Sequence, residues 1–340
     1  MNNPVGYLFW TEVHHNDKVE SNWQNGQKTM RTKESQPAAH GSRRDSHPVK
    51  QNQPGRLKRS SSGKQWGLVL MGGGARGLAH IGVLKALLEN DLTPPIITGT
   101  SMGAIIGGLF SAGYLPSEIE AIARELGSSQ LARWRQSKFP IPDKLVDFFV
   151  FESYQKKLFK RFGQEKGDVL EKSLRHLLGD VCLEDLTIRF GCNAVDLVSG
   201  RQVWFTSGPL YRALRASSAY PLLIEPARGQ RTFLVDGGLL NNVPIDLARE
   251  LGATKVIVPD VHRPLRRLPR AKLKSNLPLV FRLIQIVLAD STESQLPAAD
   301  LLIQINPSVD TFDFTRTKYL VDLGQKVTQS SLKAIRKIIS

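Results

Sequence analysis

The sequence predicts an α/β fold of three layers, in which a mostly parallel central sheet is covered by helices on both faces. Three observations predict it: apolar runs of strand length, helical periodicity directly after them, and glycine-rich turns between the two. The 340 residues, of which 41% are hydrophobic, are enough for one large domain or two small ones. We expect one ordered domain over residues 65–340, with its motifs between about residues 66 and 260.

Residues 1–64 are predicted to form a disordered basic tail. From Asn16 to about Lys64 the chain is rich in charged and polar residues and lacks apolar periodicity, so burial cannot repay the entropy of ordering it. The stretch GYLFW, from Gly6 to Trp10, is an exception with three aromatic residues. It either docks on the folded domain or forms an isolated apolar patch.

Two strand–loop–helix units open the ordered part. WGLVLM, beginning at Trp66, has the character of a buried strand, and GGGARG leads from it into a helix with apolar residues at helical spacing. After Pro94-Pro95, IIT predicts a short strand that passes through GTSMG into a helix from Met102 to about Ala112. Two such units in succession predict a parallel core.

The remaining elements follow from periodicity and turn signals. The stretch after Pro116 is predicted to be helical, with Ser117 as an N-cap and a further helix at VLEKSLRHLL. IRFGCNAVDL and RQVWFT are predicted to form a hairpin that turns at Ser199-Gly200. Then come a strand at FLV, a helix that starts at Pro244, a strand at KVIVPD, a helix at LPLVFRLIQIVLA, a strand at LLIQI and a terminal helix.

GTSMG fits the pattern Gly-x-Ser-x-Gly, in which a serine sits on a sharp turn between a strand and a helix. Gly99 and Gly103 flank Ser101 and permit close backbone approach. A helix N-cap serine in an ordinary loop is the alternative for an isolated match. Because a strand precedes this motif and a helix follows it, Ser101 is a candidate nucleophile.

GGGARG also matches the glycine pattern of dinucleotide-binding folds. That interpretation requires an acidic residue at the end of the next strand, and the nearest acid, Asp91, lies before that strand. What remains is a loop of N–H groups at a helix N-terminus, which suits the oxyanion of an acyl-transfer intermediate. The predicted oxyanion loop consists of Gly72, Gly73, Gly74, Arg76 and Gly77.

DGG comprises Asp236, Gly237 and Gly238 and directly follows the apolar run FLV. The carboxylate is therefore expected at the carboxyl end of a strand, where reactive groups gather in open α/β sheets. An Asp that merely starts a glycine turn is the alternative.

GGGARG, GTSMG and DGG, in this order, resemble the three signature motifs of the patatin-like phospholipases. GLAHIGVLKAL after the first motif and ASSAYPLL before the third are similar to bacterial members and to the catalytic domain of neuropathy target esterase. The resemblance spans Trp66 to Asp260, and it departs from many members in reading DGG where they have DGA. It implies a patatin-like α/β/α fold and a serine hydrolase that acts on lipid esters, such as those of phospholipid or lysophospholipid.

The resemblance also implies roles for these residues. Ser101 would attack the ester carbonyl, and Asp236 would accept its proton and later activate the deacylating water. The Gly72–Gly77 loop would bind the oxyanion, where Arg76 either adds positive charge or pairs with a nearby carboxylate. An Asp with its usual pKa of about 3.9 is a poor base for a serine, so we expect the carboxylate to be desolvated.

Two other functions are considered. An α/β-hydrolase would use a triad in the chain order Ser101, Asp236 and His262, whereas His80 and His176 lie on apolar-patterned helices and are interpreted as structural. A non-catalytic basic protein that binds nucleic acid or membranes would use the tail and the run RPLRRLPRAKLK. Intact motifs argue against the loss of catalysis, and the basic runs lack interleaved aromatic residues, so nucleic acid is not expected as a partner.

Charge and composition suggest where the protein works. The 46 Lys and Arg against 31 Asp and Glu give a formal net charge of +15, which favours an anionic partner. Because Arg263–Lys274 follows the KVIVPD strand, we expect it at the carboxyl edge beside the catalytic residues, in peripheral contact with an anionic membrane; a solvated surface loop is the alternative.

Further expectations concern cofactors and location. Cys182 and Cys192 are interpreted as core thiols, and neither a metal nor another cofactor is expected. The sequence lacks an apolar signal region and any apolar run near the ~20 residues of a membrane span. We therefore expect a cytoplasmic protein at the inner surface of the membrane; nothing in the sequence indicates an oligomeric state.

Overall fold

The computed structural model describes residues 8–9, 65–135 and 165–340. Apart from residues 8–9, the predicted tail lies outside these ranges. The strands of the sheet are, in chain order, β1 (Leu8–Phe9), β2 (Trp66–Leu70), β3 (Ile96–Gly99), β4 (Arg189–Asp196), β5 (Arg201–Phe205), β6 (Ala227–Arg228), β7 (Phe233–Asp236), β8 (Lys255–Asp260) and β9 (Leu301–Gln304). The α-helices are α1 (Ala79–Leu88), α2 (Met102–Ser111), α3 (Pro116–Arg135), α4 (Glu165–Leu178), α5 (Leu210–Ser217), α6 (Ile245–Glu250), α7 (Asn276–Gln295) and α8 (Thr317–Ile339).

The sheet is mixed and mostly parallel. β4, β3, β2, β8 and β9 lie side by side in that order and run in the same direction. β5 pairs antiparallel with β4, which confirms the predicted hairpin. β1 pairs in parallel with β5, so Leu8–Phe9 within the GYLFW stretch docks on this edge of the sheet.

Helices cover both faces of the sheet. A Cβ on Gly67 of β2 would lie 3.4 Å from the Cβ of Ala248 on α6, whereas Leu70 of the same strand contacts Gly107 of α2. Side chains an odd number of positions apart on a strand point to opposite faces, so α2 and α6 lie on opposite sides. The predicted three-layer α/β/α architecture is confirmed.

Helix α3 begins two residues earlier than the capping prediction implies. It starts at Pro116, and the N–H of the preceding Leu115 donates to Glu118 Oε2 over 2.9 Å. Proline is favoured at the first helical position, and a Glu two residues later satisfies the N–H of the capping residue. The prediction of Ser117 as the N-cap is therefore wrong.

The third-motif strand, β7, runs antiparallel to β4. The first half of β4 pairs with β3, which places Gly99 opposite Cys192, and its second half pairs with β7, which places Asp236 opposite Ala194. β5 occupies one side of β4. The strands β3 and β7 therefore share the other side of β4, and they point toward each other. Their carboxyl ends meet beside Asn193, which is how Ser101 and Asp236 come together.

Candidate active site

Ser101 lies in the turn between β3 and α2, where the backbone is strained. Its φ of 54° is positive, a region that residues with side chains seldom adopt. A Cβ on Gly103 would stand 1.9 Å from the Leu70 oxygen, and one on Gly99 would stand 2.6 Å from the carbonyl carbon of Gly103. Glycine is therefore required at both positions, and the turn presents a half-exposed Ser101 at the N-terminus of α2.

Asp236 ends β7 and is almost fully buried, with 2% of its surface exposed. The Gly238 N–H donates to its Oδ1 over 2.9 Å. The Ser101 hydroxyl lies near enough to Asp236 to stabilise its charged form. Asp236 Oδ2, however, has no hydrogen-bond partner among the described residues. Burial outweighs both contacts and raises the pKa of Asp236 from 3.8 to about 6, which agrees in direction with the expected desolvation.

Asn193 connects the motifs that carry Ser101 and Asp236. It is fully buried in the middle of β4 and accepts a hydrogen bond from Thr100 Oγ1 over 2.7 Å. Its Nδ2 donates to the Asn241 carbonyl over 2.8 Å, and a Cβ on Gly237 would stand 2.5 Å from its backbone oxygen. Asn193 thus fixes the relative position of the GTSMG and DGG turns.

The N–H groups of the predicted oxyanion loop are not equivalent. The Gly72 N–H donates to Asn242 O over 3.2 Å, and the Ala75 N–H donates to Thr311 O over 2.7 Å, so both are engaged within the protein. Gly73 precedes the 3-10 helix Gly74–Leu78, and Gly74 is its first residue. Among the described residues, no hydrogen-bond partner is seen for the N–H group of either glycine.

The other two members of the predicted loop have different surroundings. Gly77 lies inside the 3-10 helix, where a Cβ would stand 2.8 Å from Met102 Cγ, so its glycine gives room to the helix that follows Ser101. Arg76 Nη2 donates to Thr311 Oγ1 over 2.9 Å, and burial lowers the pKa of Arg76 although Asp310 acts in the opposite direction. Both interpretations of Arg76 stay predictions.

His262 contacts a residue outside the predicted triad. Its Nε2 lies 3.1 Å from Glu293 Oε1 on α7, and its backbone N–H donates to Asp260 Oδ1 over 2.7 Å. His80 is fully buried against the Met71 carbonyl at 3.0 Å, and burial lowers its pKa to about 4. These contacts suit structural roles for both imidazoles.

Three further site residues were not singled out from the sequence. Ser217 Oγ accepts the Ser101 N–H over 3.1 Å, and Asn242 Nδ2 donates to the Gly72 carbonyl over 3.3 Å. The phenol of Tyr220 lies within electrostatic range of Asp236, which adds to burial in raising the pKa of Tyr220. Ser217 and Tyr220 belong to ASSAYPLL, so that segment's polar residues were the available signal.

Within the described ranges, no cluster of three or more His, Cys, Asp or Glu side chains is arranged to hold a metal ion. Both cysteines are free thiols; Cys192 is a buried core residue, whereas Cys182 is partly exposed, so the interpretation of Cys182 as a core thiol is wrong. None of the helices over the described residues combines the length and apolar character needed to cross a bilayer.

Several solved structures are similar to this chain. Human GIVD cytosolic phospholipase A2 is 11% identical with a TM-score of 0.43, over 81% of this chain and 60% of that one. VipD from Legionella pneumophila is 15% identical with a TM-score of 0.39, over 78% of this chain and 67% of that one.

Sequence relatives are more similar. A patatin-like phospholipase domain-containing protein of Caenorhabditis elegans is 35% identical over 218 residues. Lysophospholipase nte1 of Neurospora crassa is 30% identical over 206 residues, and that of Aspergillus fumigatus is 32% identical over 206 residues. The matches cover 61% to 63% of this chain but only 12% to 15% of these relatives, so the chain corresponds to a small part of their length.

The family model for patatin-like phospholipases matches residues 68–249, which is more than half of the 340 residues. The matched region contains the glycine loop, the strained serine turn and the buried third-motif carboxylate. The chain therefore belongs to the patatin-like phospholipase family.

Proposed function

We propose that this protein is a serine lipid-acyl hydrolase that cleaves carboxylic esters of phospholipid or lysophospholipid. The observation that carries the proposal is the pairing of a strained, half-exposed Ser101 with a buried Asp236 at the meeting point of β3 and β7. The lysophospholipase names of the fungal relatives support the same substrate class.

Acylation would begin when Ser101 Oγ attacks the ester carbonyl. Asp236 Oδ2, which has no formed hydrogen bond within the described residues, would accept the hydroxyl proton. The tetrahedral intermediate would then expel the alcohol, which takes that proton from Asp236 and leaves the acyl group on Ser101. A raised pKa makes Asp236 a stronger base than an exposed Asp and also an effective acid in the second half of this step.

Deacylation would reuse the same carboxylate. Asp236 would remove a proton from a water molecule, whose oxygen attacks the acyl carbonyl, and collapse would return the proton to Ser101 Oγ and release a fatty acid. The Gly73 and Gly74 N–H groups, at the opening of the 3-10 helix, are the proposed oxyanion donors in both steps.

Lipid mass spectrometry tests this function directly. Vesicles of phosphatidylcholine or lysophosphatidylcholine incubated with the protein are expected to release free fatty acid, and the Ser101→Ala variant is expected to release none above background. Intact lipid after incubation with the wild-type protein would contradict the proposal.

The pH dependence of hydrolysis should report Asp236. A general base must be deprotonated, and burial raises the pKa of this carboxyl, so kcat/KM for a soluble ester is expected to fall tenfold per pH unit below about pH 6. An acidic limb near pH 4, typical of a solvated Asp, would contradict desolvation of the base. The measurement is kcat/KM between about pH 4 and pH 8.

We also propose that the Arg263–Lys274 segment contacts an anionic membrane. The segment follows β8, which runs parallel to β2 and β3, so it leaves the sheet at the edge where β3 turns into Ser101. Arg266, Arg267 and Arg270 are exposed there. Each basic residue near an anionic surface contributes about 1 kcal/mol, and the attraction fades within about 8 Å at physiological salt.

Changing Arg266, Arg267 and Arg270 together to alanine is expected to weaken binding to phosphatidylglycerol vesicles about 10²-fold at low salt, because three such contacts are lost. The matched control removes three exposed lysines of α8, which are Lys326, Lys333 and Lys337. It lowers the net charge equally and is expected to affect binding much less. Equal losses in both triple variants would mean that net charge, and not this segment, governs attraction.

A further inference from the structure

Helix α7 turns an apolar face to solvent. Five of its side chains, 39% to 53% exposed, are Leu279, Val280, Leu283, Ile286 and Val287. They recur at intervals of one, three and four residues, so they form one stripe, here called the α7 stripe, about 120° wide. A helix on the surface of a globular domain ordinarily turns its polar face outward. The stripe is therefore an apolar surface that the described residues leave uncovered.

The C-terminal turns of α7 are hydrogen-bonded to the loop that follows the DGG motif. The Asn242 side chain donates to Thr292 Oγ1 over 2.7 Å, and the Asn242 N–H donates to Ser291 Oγ over 3.1 Å. The N–H of Val243 donates to Gln295 Oε1 over 2.9 Å. These polar bonds hold the last turns of α7 against the domain, and Thr292 lies about 180° around the helix from Leu283, so the stripe faces outward.

The stripe begins next to the candidate active site. Leu288 of α7 packs against the DGG turn, where a Cβ on Gly238 would stand 2.8 Å from Leu288 Cδ2 and 3.1 Å from Asp236 Oδ1. Val287 starts the stripe one residue away, and the stripe extends roughly 12 Å along the helix from there. Leu240, just after the DGG motif, is a further exposed apolar side chain at 47%.

The basic segment adjoins the same helix. Arg282 of α7 donates through Nη2 to the Arg266 carbonyl over 2.9 Å, which holds the two elements together. Leu265 and Leu268, within that segment, are also exposed. On the side of the basic segment, the surface thus combines aliphatic with cationic side chains, which is the composition of an element that lies in the interface of an anionic bilayer.

A second copy of this chain fits the surface less well. Two copies that each carry a formal net charge of +15 repel one another, whereas an anionic bilayer attracts the exposed arginines beside the stripe. Aliphatic side chains likewise offer no stacking platform to nucleic acid. The chemistry therefore favours lipid acyl chains beneath anionic headgroups.

We propose that the α7 stripe inserts into the boundary between headgroups and acyl chains of an anionic bilayer and so brings the mouth of the Ser101 site against the membrane. The role assigned to this insertion, the delivery of lipid to Ser101, rests on the proposed lipid-hydrolase function. The basic segment would supply the salt-sensitive attraction, whereas the stripe would supply binding that persists when charges are screened. An ester substrate would then reach Ser101 with its acyl chains still partly in the bilayer.

The test measures vesicle binding in a Ser101→Ala background, so that the lipid stays intact. In about 1 M NaCl, where the Debye length is about 3 Å, binding to vesicles of phosphatidylcholine and phosphatidylglycerol reports the apolar contribution. Leu283→Ser with Val287→Ser is expected to reduce this binding at least about tenfold. The control, Val169→Ser on α4, changes a valine that is 62% exposed and is expected to change binding less than about twofold.

Three outcomes would overturn the inference. The first is equal high-salt binding of the stripe variant and the control. The second is a marked fall in the melting temperature of the stripe variant, which would mean that another part of this chain covers the face. The third is a dimer that the stripe substitutions dissociate, which would make a second copy the occupant. Loss of binding in the stripe variant, with no hydrolysis by the protein carrying Ser101, would instead contradict the proposed function and leave membrane insertion supported.

Discussion

Ser101→Ala is expected to lower ester turnover by about 10⁶-fold, the scale on which serine hydrolases lose kcat without their nucleophile. The strained turn at φ 54° presents this side chain, half-exposed, at the meeting point of β3 and β7. The measurements are hydrolysis of a soluble ester and covalent labelling by a fluorophosphonate probe. Both are expected to disappear in the variant.

The backbone strain at Ser101 provides a control for the Ser101→Ala substitution. Ser101→Gly also removes the hydroxyl, but glycine adopts positive φ without steric cost, so this variant is expected to be more stable than Ser101→Ala by about 1 kcal/mol. Thermal unfolding measures the difference. Unchanged turnover in Ser101→Ala would refute the nucleophile assignment, and absence of probe labelling in the wild-type protein would favour a non-catalytic basic protein.

The local elements of this fold could be read from the sequence because their signals are local. The strand and helix of GTSMG follow from an apolar run, glycines and helical periodicity within about 15 residues. The position of Ser101 between them needs no distant information. The same holds for Asp236, which stands at the end of the apolar run FLV.

The way in which Ser101 and Asp236 meet could not be predicted locally. From the sequence, Ser101 and Asp236 are expected at the carboxyl ends of strands in a mostly parallel sheet. Instead, β7 is antiparallel to β4 and meets β3 end to end. That arrangement depends on β4 being long enough to pair with two strands on one side, and pairing register is set by distant partners. Asn193 was the available signal, because an Asn inside a buried strand requires hydrogen-bond partners.

Helix α7 was predicted from LPLVFRLIQIVLA, but its apolar residues surround the helix and gave no indication of which face is buried. The polar residues Ser291, Thr292 and Gln295 decide the orientation, because they bond to the loop that follows DGG. They lie beyond the apolar run on which the prediction rested. The exposed stripe therefore became visible only with the tertiary contacts.

Asp236→Asn is expected to reduce kcat about 10³-fold or more, because an amide cannot accept the Ser101 proton and a general base contributes about 10²–10⁴. His262→Ala is the matched test of a triad. Its imidazole is engaged by Glu293 at 3.1 Å, so its loss is expected to change soluble-ester turnover less than about threefold. A fall of about 10³-fold in His262→Ala would establish the triad and reject the dyad.

The stability of Asp236→Asn separates loss of the base from loss of the fold. Burial raises the pKa of Asp236 above its unfolded value of 3.8, so the folded protein loses stability as pH rises from about 4 to about 6, where the carboxyl ionises in the unfolded chain but stays protonated in the folded one. A neutral amide avoids this cost, which is on the order of 3 kcal/mol for a pKa raised from 3.8 to about 6. Asp236→Asn is therefore expected to be more stable than the wild-type protein at pH 7, and the difference should vanish below about pH 4. An inactive variant that is also less stable at pH 7 would mean that Asp236 supports the fold, whereas an inactive and stabilised one is what a desolvated catalytic base requires.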